Sequence, residues 1–189
     1  MTDLSTFFMA FVESPLQVGS IVPSSRHLLR RLVDVAGIAS ATTIVELGPG
    51  NGGSTRAILR AAPAQARILS IEVNPRLHEL ARSIDDKRLT AHLGDALHLK
   101  EILFHYGLGE PEVVISGIPF STIKMTSATR LIAEISTVLA PGGRFVAYQV
   151  SSRVAKLVRP FMGKEHMELE LLNIPPMRVY RWVRNSKSS

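Results

Sequence analysis

The sequence predicts an α/β fold built on a mostly parallel, seven-stranded sheet, and three features carry that expectation. Strand-like and helix-like segments alternate from residue 42 onward, which calls for a parallel sheet covered on both faces. The strand-like segments include apolar runs such as Val113-Val114-Ile115, the composition of buried strands. The last two such runs, 166–174 and 177–184, are joined by Pro175-Pro176 and suit a hairpin-like antiparallel C-terminal edge.

Two helices are expected ahead of the alternating region. Residues 4–13 place Phe7, Phe8 and Phe11 on one helical face. Pro15 and Pro23 bound a non-helical stretch. Ser24 or Ser25 then caps a second helix running to about Ala36, with Leu28, Leu29, Leu32 and Val33 apolar and Gly37 as its stop. The strands follow at 42–48, 66–73, 88–94, 112–117, 144–150, 166–174 and 177–184. Between them, helices are expected at 54–62, 75–84 (Pro75 in the first turn), 96–105, 127–140 and 151–161. There is no internal repeat, low-complexity tract or linker, so a single compact domain is expected, with 1–37 as an N-terminal helical segment and 38–185 as the sheet domain.

At 189 residues, 46% hydrophobic and 20% charged, the chain has an ordinary globular composition with room for one substantial core. The absence of cysteine excludes disulfides and thiolate metal sites. The N-terminus has neither the basic region nor the long apolar core of a signal peptide, and no stretch approaches the roughly 20 apolar residues of a membrane span, so a soluble, cytoplasmic protein is expected. The net charge of +6 is uneven: residues 144–189 hold nine basic residues against three acidic ones and account for the whole excess. A basic end attracts lipid or nucleic-acid phosphates, and serves equally as a solubilising surface.

Ligands of parallel sheets bind at the carboxyl ends of the strands. The first strand ends in Val45-Glu46-Leu47-Gly48-Pro49-Gly50-Asn51-Gly52-Gly53. Its glycines let the backbone bend and approach a ligand closely, but the spacing is not that of dinucleotide folds. A carboxylate at Glu46 would repel a pyrophosphate and suits a cationic ligand. Glu72 ends the second strand, twenty residues after Gly52, where an acid accepts from ribose hydroxyls in related nucleotide folds. Asp95 ends the third, placed to cap the next helix, to accept from an adenine amino group, or both. The fourth strand breaks into Ser116-Gly117-Ile118-Pro119-Phe120, a proline-stiffened loop.

These residues resemble class I S-adenosylmethionine-dependent methyltransferases over about 40–184. The resemblance implies a Rossmann-like fold with S-adenosylmethionine as cofactor. It implies that Gly48, Pro49, Gly50, Asn51 and Gly52 line the methionine and ribose portion, that Glu46 supports the loop and the cationic end, that Glu72 and Val73 meet the ribose, and that Asp95 and Ala96 flank the adenine. Ser116 to Phe120 fall beside the transferred methyl. In family members acting on exocyclic amines an Asn or Asp commonly opens this loop; here Ser116 stands instead, leaving the Gly117 and Ile118 carbonyls to aim an amine. Tyr148 and His105 are the candidates for a base.

Residues 14–33 (SPLQVGSIVPSSRHLLRRLV) and 172–184 (LNIPPMRVYRWVR), with Ser-Gly-Ile-Pro at the fourth strand, resemble bacterial phospholipid N-methyltransferases. That resemblance adds Ser20 to the cofactor set. It implies methylation of a lipid head-group amine at an anionic membrane surface by a peripherally associated protein, with 1–37 as lid or membrane contact and no nucleic-acid partner. Phe8, Arg26, Tyr148, Arg153 and Arg178 are the substrate candidates. The competing readings are an rRNA adenine N6-methyltransferase, a small-molecule methyltransferase, and a cofactor-binding subunit without catalysis.

Overall fold

The computed structural model describes residues 24–185. The helix expected over 4–13, and with it Phe8 and Ser20, lies outside the described residues. Helix α1 (Arg26–Ala36) starts where the Ser25 hydroxyl accepts from the Leu28 N–H, and stops at Gly37, whose φ of 64° is left-handed. A short 3₁₀ turn (Ile38–Ser40) leads into the alternating region. There follow β1 (Thr43–Leu47), α2 (Gly53–Ala61), β2 (Arg67–Glu72), α3 (Pro75–Arg82), β3 (Leu89–Leu93), α4 (Leu99–His105), β4 (Val113–Ser116), α5 (Met125–Val138), β5 (Arg144–Gln149), α6 (Arg153–Met162), β6 (His166–Glu170) and β7 (Met177–Val183).

The seven strands form one sheet of order β3-β2-β1-β4-β5-β7-β6. All pairs are parallel except β5–β7 and β7–β6, which make the antiparallel edge. Strand order reverses between β1 and β4, so the crevice expected to take ligands opens at their carboxyl ends. Successive residues serve opposite faces. Ile44, Ile68, Val113 and Val146 pack against Leu28 and Leu32 of α1 and Ile58 of α2. Val45, Val114 and Phe145 pack against Leu99, Leu131, Ile132, Val154 and Val158 of α4 to α6. Each fully buried leucine, such as Leu32, contributes about 1.5–3 kcal/mol. Helix α1 is therefore part of the core. It is also tied to the outer edge, where the Arg31 guanidinium pairs with Glu168 and, at 2.8 Å, with Glu170.

Two segments differ from expectation. Residues 96–105 form a 3₁₀ turn (Ala96–His98) before α4, because the Asp95 carboxylate caps the Leu97 N–H and starts a tighter turn. The sixth strand, expected to reach 174, ends at Glu170. Glu170 accepts from its own Leu172 N–H at 2.8 Å, and Asn173 turns inward, accepting from the Ser25 N–H and donating to the Pro175 carbonyl, both at 2.8 Å. No helix among the described residues is long and apolar enough to cross a membrane.

Candidate active site

The glycine turn after β1 is held by its own backbone. Gly48, Gly50 and Gly52 have φ of 72°, 56° and 80°, all left-handed, which is why glycine recurs there. Gly48 is also pressed against β4's loop: a Cβ on it would sit 3.3 Å from Ile118 Cγ1. Beneath the turn, Glu46 is fully buried and accepts from three hydroxyls, Ser54 at 2.5 Å, Thr55 at 2.6 Å and Ser70 at 3.0 Å. Burial pushes its carboxyl pKa up, against those three hydrogen bonds. Glu46 thus ties the first turn of α2 to β1 and β2; 1% exposed and with both oxygens engaged, it presents no face to the cationic ligand end expected of it.

Beyond the turn lies a cleft lined by Gly48, Ile71, Glu72, Val73, Gly94, Asp95, Ala96 and Ile118. Glu72 is 2% exposed; its Oε1 accepts from the Asn74 N–H at 2.9 Å, while its Oε2 is buried without a partner. Burial pushes the carboxyl up to about 7, opposed by the nearby backbone N–H groups of Asn74, Gly50 and Val73, of which only that of Asn74 reaches hydrogen-bond geometry, with the Glu46 charge adding to the rise. Asp95 is divided in the same way. Its Oδ1 caps Leu97 at 2.9 Å, and its Oδ2 is buried and unpartnered. A carboxylate oxygen deprived of water without a donor is costly. Two of them in one cleft form an acceptor pair that calls for a ligand bearing hydroxyl and amino donors.

Ser116 ends β4 fully buried, with its hydroxyl accepting from the Ile118 N–H at 3.2 Å. The Gln149 side chain at the end of β5 clamps the loop from below. Its Nε2 donates to the Ile118 carbonyl at 2.9 Å, and its Oε1 accepts from the Phe120 N–H at 3.2 Å. Gln149 was not singled out in the sequence, although a glutamine closing an apolar strand is a signal, because a buried amide must find partners. Gly117 packs so closely that an added Cβ would lie 2.5 Å from Tyr148 Oη and 2.7 Å from the Gly48 carbonyl.

Four expectations change here. Phe120, expected at the reacting end, is fully buried in the core and offers no face to a substrate. The Ile118 carbonyl, expected to aim an amine, is engaged by Gln149. Tyr148 sits beside the loop as expected, but burial pushes its phenol up to about 12, with the Glu46 charge adding and the Ser54 hydroxyl opposing, so it stays protonated at neutral pH and is no base. His105 is exposed at the C-terminal end of α4, its ring against Tyr106, whose carbonyl accepts from Arg67 at the start of β2, and it lines no part of the cleft. Of the substrate candidates, Arg153 donates to the Ser121 carbonyl at 3.1 Å and Arg178 donates to the Val150 carbonyl, which gathers both around the end of β5. Arg26 is exposed at the start of α1, its Nε donating to His27 at 3.3 Å.

Known proteins resemble this arrangement at two levels. The ornithine lipid N-methyltransferase of Singulisphaera acidiphila is 28% identical over 192 residues, covering all of both chains. A ribosomal RNA small subunit methyltransferase A from Erythrobacter litoralis is 35% identical over 99 residues, half of this chain and 33% of that one, so the chain spans only about a third of such a relative. Among solved structures, the N-methyltransferase NodS from Bradyrhizobium japonicum in complex with S-adenosyl-L-homocysteine superposes with a TM-score of 0.72 at 13% identity, over 98% of this chain and all of that one, a likeness of fold. Residues 44–143, more than half the chain, match the family model described as a methyltransferase domain, from the first strand of the sheet to the turn before the fifth; the chain belongs to that family and has its class I fold.

Proposed function

We propose that the protein is an S-adenosylmethionine-dependent N-methyltransferase acting on the head-group amine of a lipid. The cofactor is S-adenosylmethionine, and the donor set suits it: the unpartnered oxygens of Glu72 and Asp95 match ribose hydroxyls and an adenine amino group, and the left-handed glycines leave backbone room for the methionine end. Bound there, it supplies an electrophilic methyl on a sulfonium. The remaining work of the chain is positioning. The Gly117 carbonyl accepts from the incoming amine, Gln149 and Pro119 fix the turn that carries it, and Ile118 closes the cleft on that side. With Tyr148 held protonated, the amine enters in its neutral form and its proton leaves to solvent after transfer.

The observation that carries the substrate class is the end-to-end match to an ornithine lipid N-methyltransferase, against matches to rRNA methyltransferases that cover 50% to 74% of this chain and less than half of their own length. The burial of Phe120 agrees with it, since a methyltransferase of exocyclic base amines uses an aromatic at this position to stack on the base. Membrane association through the residues ahead of α1, which is itself packed in the core, with Arg26, Arg153 and Arg178 toward anionic lipid, belongs to the same proposal. Radiolabelled S-adenosylmethionine offered to the protein with an aminolipid extract and, in parallel, with rRNA is the test. Label in the lipid phase is the expected result, and label in RNA alone refutes the lipid reading.

A further inference from the structure

We infer that the loop between β6 and β7 is a membrane-inserting tip whose partner is the interface of an anionic bilayer; this rests on the lipid reading and names an element that carries it. The loop reverses the usual burial pattern. Its polar residue, Asn173, is 6% exposed, whereas Leu171, Leu172 and Ile174 are 67%, 65% and 77% exposed. Nor are the leucines outward because the loop is slack. Asn173 is bonded on both sides, to the Ser25 N–H and the Pro175 carbonyl, and the Leu172 N–H is bonded to Glu170. The polar groups are satisfied inward, which leaves an apolar surface held outward.

The loop stands at the carboxyl edge of the sheet. Gln149, which clamps the reaction loop, is paired in register with Arg178, immediately after the tip. Val150, also half-exposed, continues the apolar surface, with its carbonyl held by Arg178. Cations flank it: Arg178 on one side, and Arg26, next to the Ser25 that Asn173 holds, on the other. The nearest acids, Glu168 and Glu170, share Arg31, so these three side chains carry a net −1 against the +2 of Arg26 and Arg178. Apolar side chains flanked by guanidinium groups are the chemistry of an anionic lipid interface. A second copy of the chain is a poor occupant. Three such side chains expose at most a few hundred Å², short of the roughly 800 Å² per partner that a stable interface buries.

The test uses the full chain and flotation on vesicles of phosphatidylcholine doped with phosphatidylglycerol. The triple variant Leu171→Ser, Leu172→Ser, Ile174→Ser is expected to lose about a hundredfold in vesicle partition, with its melting temperature and S-adenosylhomocysteine affinity unchanged. Partition equal to the parent's overturns the inference, as does a parent that sediments as a dimer through this loop and ignores vesicles. A second variant, Leu172→Trp, reports insertion directly, because the single native tryptophan, Trp182, is buried. Quenching of the new indole by acyl-brominated lipid is expected, and its absence overturns the inference. Methyl incorporation is read separately. Vesicle partition through the tip without methylation of any aminolipid refutes the proposed function and leaves the tip standing; methylation with tip-independent partition does the reverse.

Discussion

At the scale of single residues, Glu72 and Gln149 decide most. The Glu72 carboxyl, raised to about 7, favours its protonated form in the ligand-free fold. Its contribution to stability is therefore present below the ordinary carboxylate pKa and is lost as pH rises through about 7. A ligand that donates to its free oxygen favours the ionised form instead, so binding releases a proton. S-adenosylhomocysteine affinity measured by calorimetry is expected to rise with pH toward 7, by up to about tenfold per unit for one proton, and to level off above it. Glu72→Gln should abolish that slope; an unchanged slope places the titration elsewhere. Gln149 makes a different kind of contribution. Gln149→Leu leaves the Ile118 carbonyl and the Phe120 N–H without their buried partners, a loss of about 2–3 kcal/mol. Because it holds the aiming loop and not the cofactor, kcat should fall about tenfold or more while cofactor affinity stays within error. A fall in cofactor affinity alone would show that the clamp serves the cleft instead.

At the scale of elements, the close approach of two loops fixes the reacting geometry. Gly117→Ala drives a methyl onto Tyr148 Oη and onto the Gly48 backbone, so the β1 and β4 loops must part. Methyl transfer is expected to drop by two orders of magnitude or more, about what an ångström of misplacement costs. Gly142→Ala is the contrasting control: its φ of 75° is left-handed, unlike that of Gly117, so alanine is strained there, yet nothing lies within 4 Å. It should cost only about 1–2 kcal/mol of stability and leave the rate alone. Much of this was legible in the sequence, because local chemistry dictates it. Gly37 as a helix stop, Pro75 in a first turn, the glycine spacing after β1 and the acids closing β2 and β3 each answer to a neighbour a few residues away. What escaped depends on long-range pairing. Gln149 and Ile118 are 31 positions apart, and Asn173 meets Ser25 across 148. Phe120 misled because an aromatic after Pro119 suits a stacking face and a core position equally, and only the packing of α5 and α6 decides between them.

At the scale of the molecule, the carboxyl edge of the sheet concentrates everything proposed to meet ligands: the cleft, the reaction loop, the apolar tip, and the Arg26, Arg153 and Arg178 side chains. The net +6 lies wholly in the last quarter of the chain, which supplies two of those arginines. A bilayer met by this edge is held by two forces with different responses to salt. Apolar insertion at Leu171, Leu172 and Ile174 is indifferent to it, whereas attraction between guanidinium groups and anionic head groups is screened as the Debye length shrinks from about 10 Å at 0.1 M to about 3 Å at 1 M. Methylation of an aminolipid in anionic vesicles should therefore fall with added salt, and methylation of a short-chain, monomeric aminolipid should not, because the cleft itself uses no exposed ion pair. Arg26→Gln removes one cation near the surface, worth about 1 kcal/mol or fivefold in partition, and should reduce the vesicle rate by that factor without changing the rate on the monomeric lipid. If salt and Arg26→Gln slow both substrates alike, the arginines act on the head group inside the site, and the edge is not the membrane face.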